Sequence, residues 1–310
     1  MISIIIPAKN EHRNISRCIE SIVSSINGKI KYEIIVVDNG SVDGTPSIAK
    51  NLGARTYIVN DKNVSGLRNF GVEKSNYEYL AFLDADCEVL VGWPSEGIRL
   101  LENDRFGIVG GYALVPKDSS SWVEKIMYQK KEITLTNPSY LGSCNMILRK
   151  KTFNKVGGFN ESAVSGEDYI LCQNIKELGL EVLSSPNLAV YHYGYPKTLK
   201  ALFKREVWHG LGMFPLLKSG KLTMPLIWSC LNLLLLLSMF FLVFWGCYAA
   251  FFLLLVVLFL LPAGAALLRM YRMGEWGNPI KMYIILTAYG FARTLSVIKF
   301  IVNIKPRLAI

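Results

Sequence analysis

The 310-residue sequence predicts an α/β domain built on a mostly parallel central sheet, followed by a C-terminal α-helical membrane region. Two observations carry this. Residues 1–115 alternate short, uniformly apolar runs with amphipathic stretches, the pattern of strands covered by helices on both faces. Further on, 47 residues between Lys221 and Arg269 include no charged side chain and no histidine. At ~1.5 Å per helical residue such a run spans roughly 70 Å, more than twice a bilayer core of about 30 Å. A wholly soluble protein is excluded, and so is a disordered one.

The elements follow in order. Ile2–Ile6 lacks a charged n-region and a small-residue cleavage site, so it reads as a first strand and not a signal peptide. Glu33–Val37, Ala54–Val59, Tyr79–Leu83 and Gly107–Tyr112 are the next strands. Between them Ile15, Ile19, Ile22, Val23 and Ile26 recur at helical spacing, and Thr45-Pro46 offers an N-cap and an N1 proline for a second helix. Residues 116–195 are less regular. Trp122, Val123, Ile126 and Met127, with Lys125, Lys130 and Lys131, predict an amphipathic helix near a membrane. Within 196–222, Leu199, Leu202, Phe203, Val207 and Leu211 oppose Lys197, Lys200, Lys204 and Arg205, which predicts a basic interfacial helix; an ordinary surface helix is the plainer alternative.

The uncharged run divides near Gly246-Cys247 into spans over about 224–245 and 248–268. Lys218 and Lys221 precede the pair, and Arg269 and Arg272 follow it, which predicts a hairpin with both ends and the N-terminal domain on the cytoplasmic face. A third stretch, about 280–302, is interrupted by Lys281, Arg293 and Lys299. Its longest uncharged piece, Met282–Ala292, has 11 residues, so it is expected to be interfacial or re-entrant, with a third span as the alternative. The expected division is therefore 1–195, 196–222 and 223–310.

Charge narrows the partners. Residues 196–310 carry 13 Lys/Arg and two acids, Glu206 and Glu275, while residues 1–195 sum to −1. The basic excess faces membrane headgroups, and no basic stripe on the soluble part supports nucleic-acid binding. Six scattered cysteines without a Cys-x-x-Cys pair read as buried thiols in a reducing compartment, not as a disulfide framework or a zinc site.

Several motifs have chemical meaning. Asp84-Ala85-Asp86 follows the apolar run Tyr79–Leu83; residues i and i+2 of an extended chain share a side, so both carboxylates converge at the carboxyl end of a buried strand. Paired carboxylates repel unless a cation lies between them, and hard divalent ions take oxygen ligands. Two acids opening a solvated turn are the plain alternative. Asp38 follows Ile34–Val37 in the same way and leads into Asn39-Gly40-Ser41-Val42-Asp43-Gly44-Thr45, a tight turn that also suits hydrogen bonding to a nucleobase. Pro7-Ala8-Lys9-Asn10-Glu11 follows the first strand toward the same edge. Ser165-Gly166-Glu167-Asp168 has the form of a capping box, or else supplies a general base at a helix N-terminus. His192 and Arg68 admit both structural and ligand roles. Phosphate-loop, dinucleotide and nucleophile-elbow motifs are absent from the sequence.

Taken in order, Ile4–Glu11, Val36–Ser41 with Asp43-Gly44-Thr45, Arg68-Asn69-x-Gly71, Asp84-Ala85-Asp86 and Glu167-Asp168 resemble the family 2 glycosyltransferases, of the GT-A nucleotide-sugar fold. The resemblance covers about residues 1–195, and Gly142-Ser143-Cys144-Asn145 to Gly157–Glu161 is similar to the family's acceptor-side region. It implies that Asp38 binds the base, with Pro7, Asn10 and Glu11 lining the nucleoside pocket and Arg68 near the nucleotide. Asp84 and Asp86 would hold the sugar-nucleotide and its Mg²⁺ or Mn²⁺, joined by His192. Asp168 would be the catalytic base, with Glu167 beside it. The partners so implied are a nucleotide-diphosphate sugar donor and a lipid-linked or glycolipid acceptor at the membrane. The Gln-x-x-Arg-Trp motif of processive synthases is missing; Phe203–Trp208 lacks its spacing, which favours transfer of a single sugar. A polyprenyl-phosphate glycosyl synthase, and an inactive nucleotide-binding scaffold, are the other readings.

Overall fold

The computed structural model describes residues 1–302 except 27, 29, 130, 131, 213, 215–222 and 274–276. Lys130, Lys131, Lys218, Lys221 and Glu275, used in the reading above, lie outside the described residues. The strands are β1 (Ile2–Ala8), β2 (Tyr32–Asp38), β3 (Arg55–Ile58), β4 (Tyr79–Leu83), β5 (Cys87–Val89), β6 (Phe106–Gly110), β7 (Ala113–Leu114), β8 (Asn145–Arg149), β9 (Glu181–Ser184) and β10 (Val190–His192). The helices threaded among them are α1 (Ile15–Ser25), α2 (Thr45–Asn51), α3 (Val64–Glu73), α4 (Trp93–Leu101), α5 (Trp122–Tyr128), α6 (Lys150–Lys155), α7 (Glu167–Glu177) and α8 (Leu199–Leu211).

Seven strands make one sheet in the order β3-β2-β1-β4-β8-β6-β9. A burial on both faces explains the unbroken apolar runs: Ile2, Ile4 and Ile6 of β1 pack with Ile15, Cys18, Ile19 and Ile22 of α1, while Ile5 turns to the other face with Phe82, Phe153 and Leu171. All pairs are parallel except those of β8, which runs antiparallel to β4 and β6. Leu83 at the end of β4 therefore pairs with Asn145 at the start of β8. This reversal brings Gly142–Cys144 to the edge where β1, β2 and β4 end. A small second sheet, β5-β10-β7, lies beyond that edge in the chain order and pairs Cys87 with His192.

Local expectations change in three places. Helix α2 has Gly44 at its N-cap, with φ 87°, so Thr45 stands one residue inside the helix; its hydroxyl donates to Asp43 Oδ1 instead (2.6 Å). Helix α7 likewise has Gly166 (φ 81°) at its N-cap with no side-chain cap, so the Ser165 capping box does not form. Only glycine enters that left-handed conformation without cost. Finally, Cys18, Cys87 and Cys172 are buried free thiols as expected, but Cys144 is half-buried and Cys230 and Cys247 are exposed on the apolar C-terminal segment.

The chain forms two compact units, residues 1–119 with 128–195, and residues 120–127 with 196–310. In the second, three helices among the described residues are long and apolar enough to cross a membrane: Met224–Phe244, Tyr248–Met273 and Pro279–Ile301. The third is one continuous helix of 23 residues. Its internal charge is neutralised, because Arg293 donates from Nη2 and Nε to Glu206 Oε2 on α8 at 2.7 and 3.0 Å. An apolar stretch interrupted by a paired cation remains compatible with a helix in lipid. Gly210 of α8 faces Ser296 so closely that a Cβ there would lie 2.0 Å from Ser296 Oγ. Lys197, Lys200 and Lys204 are exposed and Leu202, Val207 and Leu211 buried, the expected two-sided helix. Within the same unit Ile126 packs with Ala266, Met270 and Met282, and Arg269 donates to the Met127 carbonyl (2.7 Å).

Candidate active site

The site is assembled at the carboxyl edge of the parallel strands, in the first unit. The loops after β1 and β2 are laced together. Asn10, in a left-handed conformation (φ 57°), donates its N–H to Ser41 Oγ (2.7 Å) and accepts from Val42 N–H (3.1 Å). Glu11 N–H donates to Thr45 Oγ1 (2.8 Å), and His12 meets Asp43 through both backbone and ring nitrogens. Asp38, fully buried, accepts from Ser41 N–H and Oγ at 2.7 and 2.6 Å. The turn thus presents a rigid polar floor, and Pro7, next to the last residue of β1, is half-buried.

Arg68 is the hub. Helix α3 carries it into the interior, where its side chain is 3% exposed. Its two terminal nitrogens fork to different carboxylates: Nη2 to Asp84 Oδ1 (2.7 Å) and Nη1 to Glu167 Oε1 (2.9 Å). Ser143 Oγ also donates to Glu167 Oε1 (3.2 Å). The end of β4 and the N-terminus of α7 are thereby tied through one guanidinium, a geometry its rigid planar fork favours. This differs from an arginine held open for a phosphate.

Asp84, Asp86 and His192 bring carboxylate oxygens and a ring nitrogen within 4.8 Å of one another. His192 Nε2 stands 3.7 Å from Asp86 Oδ1, and its ring packs on Tyr195 with centroids 4.4 Å apart. Gly194 makes room, since a Cβ there would fall 1.8 Å from Asp86 Oδ2. The electrostatics are those of crowded acids. Burial, and the charges of Asp86 and Asp84, push the Glu11 carboxyl up to about 7 against the lowering pull of Asn14. Burial, and then Glu167, push Asp168 up to about 7 as well. Such groups hold protons that a cation or a reacting hydroxyl can exchange.

The structure thus gathers Glu11, Arg68, Asp84, Asp86, Glu167, Asp168 and His192 by contact or by mutual charge. Asp38 and Asn10 belong to the laced turn. Sequence reasoning gives no role in this cluster to four residues: Ser143, Gly194, and Cys87 and Cys144, whose thiols lie within 4.8 Å of each other and of His192. Burial, with Cys144 alongside, pushes the Cys87 thiol well above its ordinary range.

The strand order and the carboxylate-rich edge of this sheet are set in a GT-A fold. The chain belongs to glycosyltransferase family 2: the profile of that family matches residues 3–158, and that of the related glycosyl transferase family group 2 matches residues 112–267. It is a glycosyltransferase. Among its relatives are glycosyltransferase AglE of Haloferax volcanii, 29% identical over 66% of this chain and 71% of that protein, and the pre-mycofactocin glycosyltransferase of Mycobacterium tuberculosis, 25% identical over 74% of this chain and 50% of that protein. The mannosyltransferase PcManGT of Pyrobaculum calidifontis, solved with GDP-Man and Mn²⁺, shares the fold: TM-score 0.63 and 18% identity, over 98% of this chain and 88% of that one.

Proposed function

We propose that the protein is a membrane-anchored, metal-dependent inverting glycosyltransferase that moves one sugar from a nucleotide-diphosphate sugar to a lipid-linked acceptor. One observation carries the reading: Arg68 clamps Asp84 to Glu167, so the ion-binding pair and the α7 acids share one edge. In this reading the nucleoside rests on the floor made by Pro7, Asn10, Glu11 and Asp38. Two carboxylates and an imidazole suit a hard to borderline divalent ion, so Asp84, Asp86 and His192 would hold Mg²⁺ or Mn²⁺ with the donor's diphosphate. When bound, that ion supplies positive charge against the departing nucleoside diphosphate. Asp168 accepts the proton of the acceptor hydroxyl as its oxygen attacks the anomeric carbon, and a single displacement inverts that centre. Its raised pKa suits a base working near neutral pH. Glu167, held by Arg68 and Ser143, fixes the orientation of the neighbouring base. PcManGT, solved with GDP-Man and Mn²⁺, supports a nucleotide-sugar donor and a divalent ion by analogy of fold.

Three membrane-length helices support an acceptor delivered in the bilayer, and the basic excess of residues 196–310 supports placing the catalytic unit on the cytoplasmic face. If the acceptor is a polyprenyl phosphate, its oxygen is already anionic and needs little from Asp168. The test is binding of UDP, GDP and dTDP to detergent-purified protein with Mn²⁺ or EDTA, beside Asp86→Ala. Binding of one nucleotide that needs Mn²⁺ and weakens about tenfold or more in the variant is expected. Equal binding with EDTA overturns the metal-dependent reading; no binding by folded protein overturns the donor assignment.

A further inference from the structure

We infer that Cys87, Cys144 and His192 form a second metal site, for a thiophilic divalent ion of the Zn²⁺ class, which competes with the Asp84–Asp86 site for the same histidine. The two thiols and a ring nitrogen of His192 lie within 4.8 Å of one another. They converge from separate places: Cys87 and His192 are directly paired across β5 and β10, and Cys144 ends the loop that enters β8. His192 is 94% buried by its 6% exposure, and its Nδ1 is a buried nitrogen with no hydrogen-bond partner. A buried ring nitrogen is normally partnered, so a histidine with one left open, and with a ring nitrogen within reach of two thiols, points to a missing ligand.

The donor chemistry separates this group from the carboxylates next to it. Two sulfurs and an imidazole select Zn²⁺, and oxygen-rich sets select Mg²⁺ or Mn²⁺. Ligand atoms around a tetrahedral zinc ion stand roughly 3.4–3.8 Å apart, given Zn–S and Zn–N bonds of about 2.3 and 2.0 Å. Asp86 Oδ1, 3.9 Å from Cys87 Sγ and 3.7 Å from His192 Nε2, lies close to that spacing and is the nearby oxygen that could serve as a fourth donor. Binding breaks two S–H bonds, releases both protons to solvent and forms two metal–thiolate bonds, with no change of oxidation state. An ion held there also takes His192 and Asp86 out of the neighbouring pair. Zinc is therefore an inhibitor of the transferase, a consequence that rests on the proposed role of Asp84 and Asp86; the binding itself does not.

Full-length protein in detergent is titrated with Co²⁺, whose bonds to thiolate give a charge-transfer absorption that bonds to carboxylate do not. The expected result is a band saturating near one equivalent, bleached by Zn²⁺ but not by Mg²⁺. It is lost in Cys87→Ser and in Cys144→Ser, variants checked for folding by thermal unfolding, and kept in Cys172→Ser. No band in the folded wild type, a band that survives both substitutions, or thiol counting that finds Cys87 and Cys144 joined as a disulfide in reducing buffer overturns the site. In turnover at fixed Mn²⁺, Cys144→Ser should raise the Zn²⁺ needed for half-inhibition about tenfold or more. Unchanged inhibition overturns the competition. Absence of donor turnover in the wild type counts against the transferase reading alone, since the cobalt band still decides the site.

Discussion

Asp168 carries the clearest consequence of its surroundings. Its ordinary value of 3.8 moves to about 7 in the folded protein. Between those limits the native state keeps a proton the unfolded chain has lost, so this residue stabilises the fold below about pH 4 and that contribution fades as pH rises through about 7. Thermal unfolding of metal-free protein should show Tm falling from about pH 5 to about pH 8, with a shallower fall in Asp168→Asn. Turnover on a hydroxyl acceptor should climb through the same window as the base is freed, and a flat profile there would point to a phosphate acceptor. Arg68 acts through its ion pairs. It neutralises two acids at once, so Arg68→Met strands Glu167 in the interior and should cost about 3 kcal/mol, seen as a lower Tm; Arg68→Lys keeps the charge but loses the fork and should fall between. Asp84, Asp86, Glu167 and Asp168 are legible in the sequence because each pair sits within three residues, at the end of an apolar run or the start of a helical one. Ser143 and the Cys87–Cys144–His192 group are not, because their members meet only after β8 reverses direction and β10 pairs with β5.

Among the elements, legibility follows burial. The strands β1, β2 and β4 are covered on both faces, so their apolar runs are uninterrupted and stand out. The second sheet, of strands two and three residues long, leaves no periodicity to detect. Nor does an apolar run encode its direction, which is why a mostly parallel expectation does not specify β8, antiparallel to both its neighbours in the seven-stranded sheet. The turn between β10 and α8 shows how an element end serves a site. Gly194→Ala would drive a methyl into Asp86 Oδ2, so Mn²⁺-dependent nucleotide binding should weaken about tenfold by displacement of one carboxylate, while the remote β-sheet core keeps the Tm within a few degrees of wild type. Isothermal titration beside a melting curve separates the two effects.

For the whole molecule, the third apolar helix depends on a partner outside itself. Arg293 is acceptable in lipid because Glu206 answers it, so Glu206→Gln leaves a cation unpaired and should lower the melting temperature in detergent by several degrees, with Glu206→Gln/Arg293→Met restoring much of it. The division of the chain has a different implication. Residues 120–127 belong with 196–310 although their neighbours on both sides belong to the other unit, and Ile126 finds its companions Ala266, Met270 and Met282 far downstream. During synthesis that short helix leaves the ribosome on the order of ten seconds before the residues that cover it exist. Its apolar side must wait, in the company of a membrane or a chaperone. Cutting the gene after residue 195 makes that wait permanent: the fragment 1–195 should elute as aggregates in size-exclusion chromatography, and deleting 120–127 from it as well should recover a monomer.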